Sequence, residues 1–379
     1  MSSEPFKLPM VEDHPPLSRT PTEEASEIYA DPAGEKWATG QLETASGPVF
    51  QVATTLNRDD LFGSLKTRFN LGRMNYRILP ALYAIGKPDS DSPVLVSANY
   101  KLSFDSLRKE LKNQNLWVLV LDTKGINVWC AAGKGSFGTA EVIRMVETSS
   151  LADLVSQRTL ILPQLSAPGV AAHEVRRQCG FKVIYGPVRA ADIPAFLAAG
   201  NRVEPAMRRT EFKLLDRLVL APVEIAGMLK PLLILAAVLF LLNLASLLLA
   251  SHPLLFMPLL AKTLADLLPY FVAVLVGIVL VPALLPYIPG RALAWKGWVL
   301  GIIWAFVYVI LVTPSANWSQ NAAYLLGIPA ITAFLGMNFT GSTTYTSLSG
   351  VVKEMGIALP LIIASAALGL IGLIAAYFV

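Results

Sequence analysis

Cysteine and histidine are scarce in this chain of 379 residues, which has two cysteines, Cys130 and Cys179, and three histidines. Two cysteines do not make a disulfide framework, and they are too few to hold an iron–sulfur cluster or a zinc site alone. So little cysteine is typical of a reducing compartment. We therefore expect the soluble part of the chain to lie in the cytoplasm.

Charge is also scarce, because 15% of the residues are charged and the net charge is +4. Soluble globular chains carry about 25% charged residues. No Lys/Arg tract of the kind that follows a phosphate backbone is present, which argues against nucleic-acid binding.

The first 60 residues are polar and rich in proline, so they do not have the apolar core of a signal peptide.

The two halves of the sequence differ in composition, since the charges are concentrated before Arg217 and apolar residues dominate after it. This shift predicts a chain of several parts. The predicted parts are a flexible, proline-rich N-terminal arm (1–45), a cytoplasmic α/β domain (46–205), a linker (206–227) and a transmembrane domain (228–379).

Short apolar runs alternate with helical patterns in the first half. Strands are predicted at 94–96, 116–121, 159–162 and 181–185, and helices at 104–113, 137–146, 169–178 and 193–199. Continuously apolar strands are typical of a sheet that is buried on both faces. Their alternation with helices predicts a parallel sheet of the Rossmann or flavodoxin-like kind, in which ligands bind at the carboxyl ends of the strands.

The second half contains five apolar segments, at 228–250, 267–285, 298–312, 322–339 and 356–379. Each is near the ~20 residues that cross ~30 Å of hydrocarbon, so the sequence predicts an all-α domain of about five transmembrane helices. Basic residues lie before the first segment, between the second and third, and between the fourth and fifth. The positive-inside rule therefore predicts a multi-pass protein of the inner (cytoplasmic) membrane, in contact with lipid, with its α/β domain in the cytoplasm and its C-terminus outside.

The segment 127–135, with the sequence NVWCAAGKG, follows the apolar strand 116–121 closely. It therefore falls at the carboxyl edge of the predicted sheet. The positive end of a helix dipole, with Lys134 nearby, favours a thiolate at Cys130, which makes this residue a candidate nucleophile or soft metal ligand. The alternative is a small core residue. The phosphate-loop pattern G-x-x-x-x-G-K-[ST] is absent, because position 135 is glycine.

Several runs resemble known families. NVWCAAGK at 127–134 resembles the signature of the membrane corrinoid protein of microbial mercury methylation. APGVAAHEV at 167–175, YGPVRA at 185–190 and NFTGSTTYTS at 338–347 also resemble that family and its relatives, the corrinoid iron–sulfur proteins of acetyl-CoA synthesis. Those relatives carry a cysteine-rich segment and a barrel that this chain does not have. The five predicted spans therefore favour the mercury-methylating family.

This resemblance implies that the α/β domain binds cobalamin and that Cys130 ligates its cobalt from the lower face. It implies that a helix formed with the neighbouring residues caps the corrin, namely Asn127, Val128, Trp129, Ala131, Ala132, Gly133 and Lys134. The motif of histidine-ligated cobalamin, D-x-H-x-x-G, is absent. We interpret His173 as a surface or packing residue and Cys179 as structural.

The resemblance implies a corrinoid-dependent methyltransferase that transfers a methyl group from Cys-ligated methylcobalamin to Hg(II), forming methylmercury. A soft thiolate ligand favours release of the methyl group to such an electrophile. The resemblance also implies a ferredoxin with two [4Fe–4S] clusters as electron donor and a methylated folate pathway as methyl source. The alternative is a membrane-anchored corrinoid methyl carrier in one-carbon (acetyl-CoA pathway) metabolism with a different acceptor.

The transmembrane half also holds polar residues, including Asn243, Lys262 and Asp266. Ionisable residues in membrane segments are costly and are often functional. They therefore indicate either a path for mercury or an unknown substrate, or no more than a simple membrane anchor.

Overall fold

The computed structural model describes residues 31–251, 253, 255–314, 317–342 and 348–378. These residues form two compact units, one of residues 31–64 and 74–209 and the other of residues 65–73 and 210–378. The first unit is an α/β domain, and the second is mostly helical. Residues 1–30 of the predicted arm, His252 and residues 343–347 of the 338–347 run lie outside the described residues.

Seven strands form the sheet: β1 (Ala38–Thr44), β2 (Gly47–Val52), β3 (Leu82–Ile85), β4 (Val94–Ala98), β5 (Leu116–Leu121), β6 (Thr159–Leu162) and β7 (Lys182–Tyr185). Their order is β1-β2-β3-β5-β4-β6-β7. The four predicted strands, β4 to β7, pair in parallel. However, β1 runs antiparallel to β2, and β3 runs antiparallel to β5. The sheet is therefore mixed, and the prediction of a wholly parallel sheet was wrong at this edge.

A hairpin accounts for part of this difference. Strands β1 and β2 are joined by a tight turn in which Thr44 pairs with Gly47. Such a short connection can join only antiparallel strands. Because β1 lies at the edge of the sheet and is largely exposed, its sequence ATGQLET does not form an apolar run. The predicted arm extended to residue 45, so its last residues are corrected to an edge strand.

Seven helices lie among the described residues from 58 to 198: α1 (Arg58–Arg68), whose residues 65–68 belong to the second unit, α2 (Lys101–Arg108), α3 (Val128–Lys134), α4 (Thr139–Thr148), α5 (Leu151–Leu154), α6 (Ala172–Cys179) and α7 (Ile193–Ala198). The four helices predicted from periodicity correspond to α2, α4, α6 and α7, with shifted ends. Val94 and Val96 of β4 belong to one apolar cluster, and Leu95 belongs to another. The central strands are therefore covered on both faces, as their apolar runs predicted.

A buried ionic cluster joins α1 to α2. Lys101 Nζ lies 2.6 Å from Asp60 Oδ1 and 2.8 Å from Asp105 Oδ1. Arg108, which is fully buried, donates from Nη2 to Asp60 and from Nε to Asp105, at 2.6 and 2.7 Å. Burial opposes ionisation of Asp60, yet the hydrogen bonds from Lys101 and Arg108 hold the pKa of this carboxyl below its usual value.

The second unit contains α8 (Leu214–Leu218), α9 (Ala221–Leu249), α10 (Phe256–Leu275), α11 (Val281–Leu284), α12 (Leu293–Val307), α13 (Trp318–Asn338) and α14 (Leu348–Phe378). Within the described residues, four helical stretches are long and apolar enough to cross a membrane: Leu214–Leu249, Phe256–Leu284, Leu293–Val312 and Ser349–Phe378. The predicted membrane character of this half is thus supported by four helices rather than five.

The remaining predicted span, 322–339, corresponds to α13, which is not one of these four helices. Helix α13 is closely surrounded by protein. A Cβ at Gly336 would lie 2.8 Å from the Leu293 carbonyl oxygen, and one at Gly372 would lie 2.9 Å from that of Ser319. A helix packed against neighbours on two sides needs fewer apolar residues than one that faces lipid. This packing explains why α13 begins with the polar residues Ser319, Gln320 and Asn321.

The polar residues singled out in this half meet at one place. Asp266 Oδ2 accepts hydrogen bonds from the Asn243 amide at 2.9 Å, the Tyr377 hydroxyl at 2.6 Å and Lys262 Nζ at 3.2 Å. These contacts join α9, α10 and α14. Interhelical hydrogen bonds of this kind stabilise packed membrane helices. A substrate path through these residues remains a prediction.

Candidate functional site

The loop between β5 and α3 is held by Asn99, a fully buried residue directly after β4. Its side-chain oxygen accepts hydrogen bonds from the backbone N–H groups of Thr123 at 3.1 Å and Gly125 at 3.0 Å. The Thr123 hydroxyl donates to the carbonyl oxygen of Ile126 at 2.6 Å. Lys124 and Gly125 have φ values of 58° and 71°. These contacts fix a tight turn that leads from the strand into α3.

Helix α3 is short because both of its ends are capped. The side chain of Asn127 accepts a hydrogen bond from the backbone N–H of Cys130 at 2.9 Å, and Gly135 ends the helix with a φ of 84°. Asparagine at the N-cap and a left-handed glycine after the last turn are the residue types that these positions favour. Cys130 is therefore the third residue of a well-defined helix.

The two sides of α3 differ. Ala131 and Ala132 are buried in the apolar core beside the sheet, whereas Cys130 and Lys134 are exposed and Trp129 is 43% exposed. A Cβ added to Gly133 would meet no atom within 4 Å. The thiol therefore lies at a surface with open space beside it. The interpretation of Cys130 as a small core residue was wrong.

The segment 167–175 packs against the backbone of α3. A Cβ at Gly169 would collide with the Phe137 carbonyl oxygen and would lie 3.0 Å from the Cα of Ala132. The Tyr185 hydroxyl donates to the carbonyl oxygen of Val170 at 2.7 Å, and burial raises the pKa of this hydroxyl, so that it stays a donor. The 167–175 run thus contacts both of the other runs of the first unit that carry the resemblance, 127–134 and 185–190.

A cavity of about 380 Å³ lies at the carboxyl ends of β4, β6 and β7. Its walls are mostly apolar, with a few serine hydroxyls, and they include the first residues of α3. Among the lining residues are Asn127, Val128, Trp129, Ser97, Ser103, Ser106, Leu162, Pro163, Gly186, Pro187 and Val188. Ligand cavities of proteins typically measure ~300–1,000 Å³, with apolar walls and a few placed polar groups. The cavity is at the edge of the sheet where a ligand was expected.

The structure divides the predicted site residues into three groups. Asn127, Val128 and Trp129 line the cavity, and Ala131 and Ala132 face the core. The remaining three are exposed on α3 and are not among the cavity-lining residues, namely Cys130, Gly133 and Lys134.

Sequence reasoning missed Asn99 and Thr123, which hold the loop before α3, and Ser97, which lines the cavity. All three lie near the carboxyl ends of β4 and β5. Their position next to two apolar strands was the signal that could have identified them.

The other two candidate residues, His173 and Cys179, do not belong to a group of described side chains that could hold a metal ion. The side chain of His173 is 81% exposed. The Cys179 thiol donates to the carbonyl oxygen of Val175 at 3.2 Å, and burial raises the pKa of this thiol, which favours a structural role. Within the part of the chain that the structure describes, no group of three or more His, Cys, Asp or Glu residues is placed to hold a metal ion.

The first unit is similar to known proteins. Residues 52–197 match the family model of the CO dehydrogenase/acetyl-CoA synthase delta subunit. The chain is 32% identical to the acetyl-CoA decarbonylase/synthase complex subunit gamma of Methanopyrus kandleri over 120 residues, which are 31% of this chain and 26% of that protein. The identity to the corrinoid/iron-sulfur protein large subunit of Moorella thermoacetica is 26% over 178 residues, 42% of this chain and 40% of that protein.

The α/β domain is therefore similar to subunits of CO dehydrogenase/acetyl-CoA synthase and to a corrinoid/iron–sulfur protein. These similarities bear out the resemblance to the acetyl-CoA relatives, while mercury methylation stays a prediction. The chain spans about a quarter to two fifths of the length of these curated relatives. The family match ends at residue 197, before the apolar helices of the second unit begin.

Proposed function

We propose that this chain is a membrane-anchored, corrinoid-dependent methyltransferase in which Cys130 ligates the cobalt of a cobalamin and Hg(II) accepts the methyl group. One observation carries the proposal. Cys130 presents an exposed thiol on a capped helix at the carboxyl edge of a sheet, in a domain similar to that of a corrinoid/iron-sulfur protein.

The residues of the site fit a corrinoid. A metal held by protein side chains alone needs several ligands in one place, and the described residues provide no such group. A corrinoid would bring most of the ligands of its cobalt, so that a single donor from the protein would be enough. The exposed thiol of Cys130 is a soft donor of this kind, and the open space beside Gly133 leaves room for a large planar group.

The contacts of α3 position that donor. The hydrogen bond from the Cys130 N–H to Asn127 fixes the first turn of the helix, and Asn99 holds the loop before it. Ala131 and Ala132 fix the opposite side in the core. When bound, the cofactor supplies a transferable methyl group, which a thiolate ligand makes more available to an electrophile such as Hg(II). The cavity beside Asn127 and Trp129 is where we propose that part of the cofactor enters the domain.

The proposal requires partners. The two cysteines of the chain cannot hold an iron–sulfur cluster, so we assign the supply of low-potential electrons to a ferredoxin with two [4Fe–4S] clusters. We assign the supply of methyl groups to a methylated folate pathway. The four apolar helices support a membrane location, and we propose that the first unit lies on the cytoplasmic side of the inner membrane.

The comparisons favour a second candidate function. One relative is named as the gamma subunit of an acetyl-CoA decarbonylase/synthase complex, and another as the large subunit of a corrinoid/iron-sulfur protein. A membrane-anchored corrinoid methyl carrier in one-carbon metabolism, with an acceptor other than Hg(II), would use the same Cys130. The two candidates differ only in the acceptor.

The experiment that tests the proposal uses anaerobically purified full-length protein loaded with methylcobalamin. Hg(II) is added, and methylmercury is quantified for the unsubstituted protein, for Cys130→Ala and, as the matched control, for Cys179→Ala. We expect product that is lost in Cys130→Ala and kept in Cys179→Ala. Bound cobalamin without methylmercury would favour the second candidate, to be tested with other methyl acceptors. If no cobalamin is bound, both candidates are wrong.

A further inference from the structure

Two basic residues of the second unit are buried. Arg217, in α8, is 6% exposed, and Lys296, in α12, is 8% exposed. Long basic side chains at the ends of membrane helices normally extend their charged groups to the membrane surface, because a buried charge without compensation is costly. Both charged groups instead donate hydrogen bonds to backbone carbonyl oxygens. Among the described residues, their positive charges are therefore compensated by backbone dipoles.

The contacts of Lys296 account for its burial. Its Nζ atom donates to the carbonyl oxygens of Leu285 at 2.6 Å and Ile288 at 2.8 Å. These carbonyl groups follow directly on α11, where the negative end of a helix dipole favours a cation. Lys296 therefore acts as a cap on the second long apolar stretch, which ends at Leu284.

The contacts of Arg217 leave one edge of its guanidinium group without a partner. Its Nη1 atom donates to the carbonyl oxygens of Pro282 at 2.7 Å and Ala283 at 2.8 Å. The Nε atom is buried and has no hydrogen-bond partner among the described residues. Nε and Nη2 together form an edge that can hold two oxygens of a phosphate or a carboxylate. Because a buried charged donor without a partner is costly, this edge indicates an oxyanion that the described residues do not supply.

The position of this edge along the apolar helices suggests the source of the oxyanion. The buried arginine lies near the start of Leu214–Leu249, its carbonyl partners near the end of Phe256–Leu284 and the buried lysine near the start of Leu293–Val312. Ends of membrane helices lie at the level of the lipid headgroups. Trp295 and Trp298 are 48% and 41% exposed, with ring centroids 5.3 Å apart, and exposed tryptophan is typical of this level. The phosphate of a phospholipid is therefore the oxyanion at hand.

The residues after α11 favour a lipid of negative charge. The loop 285–292 carries Arg291, which is exposed, and no acidic residue. One carboxylate, that of Glu354, reaches the start of α12, where it accepts a hydrogen bond from the backbone N–H of Ala294 at 2.6 Å. With Arg217 and Lys296, positive charge is in excess at this end of the helices. Such an excess attracts acidic phospholipids more strongly than zwitterionic ones.

We propose that the Nε–Nη2 edge of Arg217 binds the headgroup phosphate of an acidic phospholipid, with Lys296 and Arg291 adding to the attraction. The phosphate oxygens complete the hydrogen bonds of the guanidinium group, while Nη1 stays on the carbonyl oxygens of α11. The bound lipid thus stabilises the contact between the start of the first apolar stretch and the end of the second. This inference does not depend on the cofactor or on the methyl acceptor.

The test uses the full-length protein in detergent micelles with equal amounts of phosphatidylglycerol and phosphatidylcholine. Native mass spectrometry measures the binding of each lipid to the unsubstituted protein, to Arg217→Lys and, as the matched control, to Arg209→Lys, at an exposed arginine. Lysine at position 217 keeps the charge and a donor for the carbonyl oxygens of α11, but it has no second edge. We expect one saturable site for phosphatidylglycerol, at least about tenfold weaker in Arg217→Lys and unchanged in Arg209→Lys, because a bidentate contact is lost.

Each comparison can overturn the proposal. Equal binding of the two lipids by the unsubstituted protein would do so, and this result does not require that Arg217→Lys folds. Phosphatidylglycerol binding of equal strength in Arg217→Lys, with an unchanged thermal unfolding midpoint, would also contradict it. Inorganic phosphate is titrated in micelles without lipid, and phosphate that binds through Arg217 as tightly as phosphatidylglycerol would overturn the assignment to a lipid. Because neither methylcobalamin nor Hg(II) is present, failure here would leave the proposed function intact.

Discussion

Helices α1 and α3 belong to the α/β fold and expose chemically different faces, and they are held in different ways. Helix α3 buries Ala131 and Ala132 in the apolar core and exposes a thiol. Helix α1 turns Asp60 toward a buried ionic cluster and exposes leucine and phenylalanine. In each case contacts of the inner face hold the helix, and side chains of the outer face are exposed. Disturbing the two inner faces should lower the free energy of unfolding by different amounts. An incomplete buried ionic cluster destabilises a protein more than slight overpacking of an apolar core does.

The largest effect is expected from breaking the attachment of α1. Arg108→Met keeps an unbranched apolar side chain but removes the guanidinium, which leaves Asp60 and Asp105 with Lys101 as their remaining cation in the cluster. Removing one partner of a buried ion pair costs about 3–5 kcal/mol, because a charge stays buried without compensation. We expect this loss in the free energy of unfolding, measured with denaturant in detergent, together with faster amide hydrogen exchange in 58–68.

The control for this variant is Arg176→Met, which removes an exposed arginine on α6. Exposed substitutions usually change stability by less than about 0.5 kcal/mol. An Arg108→Met protein as stable as its control, with unchanged exchange in α1, would contradict the view that the ionic cluster holds this helix.

A smaller effect is expected from disturbing the packing of α3. Gly169→Ala introduces a methyl group that collides with the Phe137 carbonyl oxygen and presses on Ala132. Overpacking of this kind costs about 1–3 kcal/mol and shifts the backbone. We expect lower stability and a weaker affinity for cobalamin, measured by anaerobic absorbance titration. Gly34→Ala is the control, because a Cβ at Gly34 meets nothing within 4 Å. Equal stability of the two variants would show that α3 and its neighbours can separate without cost.

The difference between these helices also shows what could be predicted from sequence. The parallel strands were predictable because burial on both faces requires continuous apolar runs, such as LWVLVL in β5. Helix α1 was not predicted, because its apolar residues face outward and its buried partners are distant in sequence. Lys101 lies 41 positions from Asp60, and Arg108 lies 48 positions from it.

The candidate site was predictable to a similar degree. The helix 127–134 and the role proposed for Cys130 came from local sequence and from resemblance. The buried side chain of Asn99 acts on a loop residue 24 positions away, so no local pattern reveals it. Helix α13 shows the same limit in the second unit. Its contacts with α12 and α14 join residues that are distant in sequence. These contacts explain why this helix is packed among its neighbours and begins with polar residues, which its own sequence does not reveal.

The smallest effect on stability, and the sharpest distinction between fold and function, is expected at the exposed side of α3. Gly133→Ala adds a methyl group where no atom lies within 4 Å, so it disturbs no packing. Alanine favours a helix over glycine by up to about 1 kcal/mol, so the thermal unfolding midpoint should stay the same or rise. Residues 130 and 133 lie on the same side of the helix. If a corrin covers that side, the methyl group should weaken cobalamin binding while the fold becomes no less stable.

Gly169→Ala would reduce both stability and cobalamin binding, whereas Gly133→Ala would reduce only binding. An unchanged affinity for cobalamin in Gly133→Ala would mean that the cofactor contacts another face of the domain, and the role proposed for Cys130 would fail with it.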